Sequence, residues 1–102
     1  MTTAKRHDKF HLIKTEIIRD LNTAHYAYGR VGKDDDYTAV VWLAVDANTV
    51  DDLVVVLDRA VKVRETQLWA DYDDKNLADR KTVRLAVMRA RRWASRYRTL
   101  LA

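Results

Sequence analysis

Cysteine and proline are absent from the chain, and glycine occurs only twice, at Gly29 and Gly32. Without cysteine there are no disulfides, thiolate metal sites or thiol nucleophiles. Average usage would place roughly a dozen Gly and Pro in a chain of this size. β-Sandwiches, small barrels and disulfide-stapled mini-folds need such residues at their many turns, so these architectures are disfavoured. The single serine, Ser95, lies between Ala94 and Arg96 rather than in a Gly-x-Ser-x-Gly elbow, which removes serine hydrolase chemistry. Long apolar runs are missing too. The longest, Tyr37–Val45, is less than half a membrane span. The polar start, Met1-Thr-Thr-Ala-Lys-Arg-His-Asp, has no apolar segment of the secretory type, so no membrane is expected. The expected compartment is the cytoplasm, or a host's if the chain is viral.

What is present suits one helix-rich domain. The 102 residues are 48% hydrophobic, enough at this length to bury about two thirds of the unfolded surface. Phe10, Ile13, Ile17, Leu21, Ala24 and Tyr28 recur at steps of three and four, which predicts a helix over 8–28. Lys9, Lys14, Glu16, Arg19 and Asp20 fall between them and are assigned to its wet face. Gly29 supplies the stop. The segment 29–36 reads as a loop whose acids, Asp34–Asp36, favour the start of a following helix. Tyr37–Val45 fits a buried strand as well as a buried helix. With no pairing strand nearby a short buried helix over 36–46 is preferred. The alternative is an α+β fold with a strand at 37–45, in a hairpin with Tyr26–Val31.

Thr49 with Asp52 three residues later is a capping-box variant. Beyond it Val50, Leu53, Val54, Leu57, Ala60, Val61, Leu68 and Tyr72 line one stripe of a helix over 49–71, with Arg64 interrupting it and Trp69 off it. Asp71–Asn76 reads as a turn, and Asn76-Leu-Ala-Asp79 as a cap that opens a last helix over 77–101. The expected fold is therefore an all-α, small four-helix bundle forming a single domain across 1–102.

Charge is distributed very unevenly. Residues 1–79 hold 11 Lys+Arg against all 15 acids, a net −4, whereas 80–102 hold eight bases and no acid. Placed at 100° per residue, Val83, Ala86, Val87, Ala90, Trp93, Ala94, Tyr97, Leu100 and Leu101 fill an arc of about 140°. Arg80, Lys81, Arg84, Arg89, Arg91, Arg92, Arg96 and Arg98 take the opposite half, with Leu85 and Met88 among them. Seven of the eight are arginine, whose planar guanidinium binds phosphate or carboxylate in a bidentate manner. This half is the expected partner-binding surface, with DNA or RNA as the leading partner. An acidic surface of a larger protein complex, contacted by a small modulator or inhibitor, is the alternative. A structural role is also open, in which these arginines pair with Asp34–Asp36 and with Asp71, Asp73 and Asp74. Trp69, off its helix stripe, is a second candidate for a partner contact. The steps along Val83, Ala86, Ala90, Trp93, Tyr97 and Leu100 also suit the seam of a homodimer.

Support for catalysis or a metal is thin. His7 and His11 share a helix face but lack a third ligand. The acids at 71, 73 and 74 depart from a calcium loop at Asn76 and Thr82, where Gly and Glu belong. Arg6-x4-His11 and Arg19-x5-His25 resemble the Arg-x4–6-His motif of HEPN ribonucleases, which are small helical bundles. The resemblance implies an Arg and a His acting on an RNA phosphodiester, usually across a dimer, with Arg19 and His25 the better pair. In that family the motif lies late in the bundle, and here both matches lie in the first helix. No cofactor motif, paired catalytic carboxylates or nucleophile accompanies it, so the expected function is non-catalytic binding.

Overall fold

The computed structural model describes the backbone of residues 2–28, 34–73 and 79–102, with side chains for 9–23, 38–70, 72 and 79–102. Four helices account for nearly all of it: α1 (Thr2–Tyr28), α2 (Asp34–Asp46), α3 (Val50–Asp73) and α4 (Arg80–Leu101). The all-α four-helix bundle expected from the sequence is the fold, and 37–45 is helix rather than strand. The hairpin alternative falls with it, because Tyr26–Tyr28 belong to α1 and Tyr37–Trp42 to α2.

The helix bounds move where local signals were overridden. α1 starts at Thr2 rather than near residue 8, since Ala4, Lys5 and Arg6 are good helix formers with no breaker among them. α3 runs through Asp73, past the turn expected from residue 71. The last helix starts at Arg80 rather than 77. Asp79 is its N-cap, in an extended conformation (φ −166°, ψ 169°), and accepts from the Thr82 N–H at 2.7 Å. The capping box at the start of α3 forms as read. Asp52 N–H donates to Thr49 Oγ1 at 3.1 Å, and Asp52 Oδ2 accepts from the N–H groups of Thr49 and Asn48. A shorter Asp serves here in place of Glu, at the end of the three-residue link Ala47–Thr49 between α2 and α3.

Successive helices alternate in direction. Arg91 meets Glu65 while Arg98, seven residues on, meets Asp58, seven residues back, as antiparallel packing of α3 and α4 requires. Each helix packs on the next, α4 closes on α1, and α1 also touches α3. Among the described residues α2 and α4 share no contact, so they occupy opposite corners of the bundle.

The main core draws on all four helices, with Ile17, Val40, Leu53, Val56 and Leu57 essentially sealed from water. Side chains of this size contribute about 1.5–3 kcal/mol each on burial. Val56 was not on the stripe read for α3; Val50 was, and is exposed. A smaller cluster, Leu68, Val83 and Val87 under Trp69, Tyr72 and Ala86, holds the far end of the α3–α4 pair together. The molecule is a rod of 54 × 24 × 17 Å. No described helix is long and apolar enough to cross a membrane.

Candidate nucleic-acid interface

The orientation of α4 decides which residues reach solvent, and two devices set it. Its apolar stripe packs inward, with Val83, Val87, Ala94 and Tyr97 buried against α1 and α3. A polar clamp then fixes the helix from the α1 side. Asp20 Oδ2 accepts from Trp93 Nε1–H at 2.8 Å and from Tyr97 O–H at 2.7 Å. Trp93 and Tyr97 also meet edge to face, with ring centroids 5.4 Å apart. Asp20, assigned to the wet face of α1, is instead half-buried and joins the first helix to the last. Desolvation first, and then the Asp20 carboxylate, push the Tyr97 phenol up to about 12. Lys14, placed on the same wet face, donates from Nζ to the Ala47 carbonyl at 2.8 Å and closes the α2–α3 turn onto α1. The stripe proposed as a dimer seam is this inward face. Val83 is fully buried and Tyr97 only 4% exposed, whereas Leu100 at the end of the stripe is 42% exposed.

With α4 so oriented, Arg80, Lys81, Arg84, Arg89, Arg91, Arg92, Arg96 and Arg98 are all exposed. They extend over about 27 Å of helix at 1.5 Å per residue, along which one strand of B-form duplex presents about eight phosphates. Leu85 and Met88 stand among them, 49% and 46% exposed. Six of the eight fall into three lines. On the α3 side, Arg91 pairs with Glu65 at 3.4 Å and Arg98 with Asp58. Neither acid was anticipated as a partner. The loop acids that were, Asp34–Asp36, Asp71, Asp73 and Asp74, have side chains outside the described residues. On the α1 side, the Arg96 guanidinium lies 5.5 Å from the centre of the Tyr97 ring, and Arg89 is its neighbour two turns away. Lys81 and Arg92 occupy the crest between.

Helix stability does not account for this arrangement. Arg80 and Lys81 sit in the first turn, where the helix dipole disfavours cations by about 0.3–1 kcal/mol each, and no acid accompanies them there. Asp79 offsets part of that. The N–H of Thr82 holds its carboxyl below the ordinary value of 3.8.

The other candidates are dispersed. Trp69 is half-buried, packs edge to face on Tyr72 at 5.8 Å, and borders a shallow groove with Lys62, Glu65 and Thr66. His11 and Arg19 are exposed on α1; the side chains of Arg6, His7 and His25 lie outside the described residues. Among the described residues no three His, Asp or Glu gather as a metal site.

Sequence reasoning missed the outer face of α2. That helix, expected to be buried, exposes Trp42 (61%), Leu43 (45%) and Val45 (41%). The run Tyr37–Val45 has no polar side to its pattern, so nothing in it indicated which edge would face water. Comparison with protein-family models, with curated proteins and with solved structures finds no match to this chain.

Proposed function

We propose that this protein binds nucleic acid, without catalysis, along the outer face of α4. The observation that carries the reading is a 22-residue helix with eight exposed bases and no acid. Only two of the eight are engaged in ion pairs among the described residues. Like charges held on one helix face repel one another. A polyanion relieves that repulsion by replacing condensed counterions, an interaction indifferent to base sequence. Lys81, Arg89, Arg92 and Arg96 carry the contact, because among the described residues no acid pairs with them. Arg91 and Arg98 must first leave Glu65 and Asp58, and so contribute less.

The test is binding of labelled DNA and RNA fragments, single- and double-stranded, across a salt series. Each phosphate contact adds about 0.7–0.9 to the slope of log K against log salt. Replacing Lys81, Arg89 and Arg92 by Gln should cut that slope by about two to three and leave helicity intact. The triple change at Arg84, Arg91 and Arg98 should cut it by about one. Absence of binding at low salt, or binding whose slope ignores both triple changes, overturns the proposal. A single acidic protein retained from nuclease-treated extract, with no affinity for the fragments, would point instead to docking on a larger complex.

A further inference from the structure

Among the described residues, exposed apolar side chains stand on α2 and on α4, two helices of opposite net charge. On α2, Trp42, Leu43 and Val45 project outward beside exposed Asp46, one turn beyond Trp42. The helix as a whole has four aspartates and no base. The patch continues into an open groove of about 500 Å³ between α2 and α3, where Arg59 and Val63 form the far wall. On α4, Leu85 and Met88 project among Lys81, Arg84, Arg89 and Arg92. Because α2 and α4 occupy opposite corners and do not touch, the two patches face away from each other.

From this we infer that the chain associates head to tail with itself, the α2 face of one copy seated on the α4 face of the next. The reasoning is complementarity. An exposed tryptophan flanked by leucine and valine is a patch that usually meets a partner. The acid beside it selects a basic, part-apolar surface, and the α4 face is one. Like faces do not serve as well: two α2 faces would bring aspartates together, and two α4 faces would oppose eight bases with eight. A contact between two different patches that point in opposite directions does not close on itself as a two-fold dimer. It propagates into a ring or an open filament. Nucleic acid and the neighbouring copy would then compete for the α4 face. The inference does not rest on the nucleic-acid reading, since it uses the α2 patch and holds with nucleic acid removed.

The experiment is light scattering on nuclease-treated protein over a wide concentration series, at ionic strengths of ~0.05 M and ~0.5 M. The expected mass climbs past that of a dimer with concentration at low salt and falls back towards the monomer at high salt. Two capped variants decide the geometry. Arg89→Asp with Arg92→Asp removes the α4 face; Trp42→Gln with Asp46→Lys removes the α2 face, and Leu43→Gln is a second change on that patch. All these positions are exposed, and circular dichroism checks that the helices are kept. Each capped chain alone should stay a monomer, and their mixture should give one-to-one pairs and nothing larger. The Trp42→Gln, Asp46→Lys chain should bind nucleic acid with an undiminished salt slope if the α4 reading holds, so the two proposals fail separately. A monomer under every condition, a closed dimer that survives the α4 changes, or capped chains that do not pair would each overturn the inference.

Discussion

Replacing Asp20 by Ala removes a carboxylate that ties α1 to α4 and leaves two donors without their acceptor. Trp93 Nε1–H and Tyr97 O–H both end on Asp20 Oδ2, at 2.8 and 2.7 Å. A hydrogen bond to a charged group contributes about 1.5–3 kcal/mol. The site is half-buried, so water reaches part of it and the two bonds together should amount to about 2–4 kcal/mol. Relief of repulsion from Glu16, four residues earlier, returns about 0.2–0.5 kcal/mol. Asp20→Asn keeps an oxygen that can accept both bonds and loses only the charge, so it should cost about 1 kcal/mol. Since a domain of this size melts about 4–8 °C lower per kcal/mol, the alanine variant should lose about 10 °C or more. Urea unfolding followed by tryptophan fluorescence measures the differences directly. A cycle with Tyr97→Phe should show coupling of about 1 kcal/mol or more. Equal stability of wild type and Asp20→Ala, or strict additivity in that cycle, would refute the clamp.

The end caps offer a smaller test. Thr49→Ala and Asp79→Ala should each destabilise by about 0.5–2 kcal/mol, seen as a lower urea midpoint. Asp52 and Asp79 are held below the ordinary 3.8 by backbone N–H donors. Their contribution is present above that value and is lost as pH falls through the lowered ones, so both caps should fail together on acid titration. Tyr97 has the opposite sign: its proton is held more tightly in the folded chain, with the phenol pushed from 10.0 up to about 12. Stability should therefore be constant below pH 10 on its account and drop by about 2–3 kcal/mol towards pH 12, an alkaline step that Tyr97→Phe removes. Finally, Asp58→Asn with Glu65→Gln frees Arg98 and Arg91. It should cost no more than about 1 kcal/mol in stability and steepen the salt slope of nucleic-acid binding by about one to two.

Much of this protein was legible along the chain because its helices are held by local rules. Steps of three and four placed α1, α3 and α4, the Thr49–Asp52 pair marked the start of α3, and the 100° wheel separated the basic from the apolar half of α4, with Leu100 alone of the apolar arc exposed. Those are properties of single helices, set by side-chain spacing and by the backbone groups that a helix end leaves open. Tertiary packing decided the remainder. Asp20 looks like any wet-face acid until α4 brings Trp93 and Tyr97 against it, and the acids facing Arg91 and Arg98 were set by the antiparallel register of α3. For Tyr37–Val45 the composition alone allowed strand or helix and any side outward. Docking beside α1 and α3 made it a helix and turned Trp42 to water, because a helix at a bundle corner can bury only the side that meets its neighbours, whatever residues stand on the other.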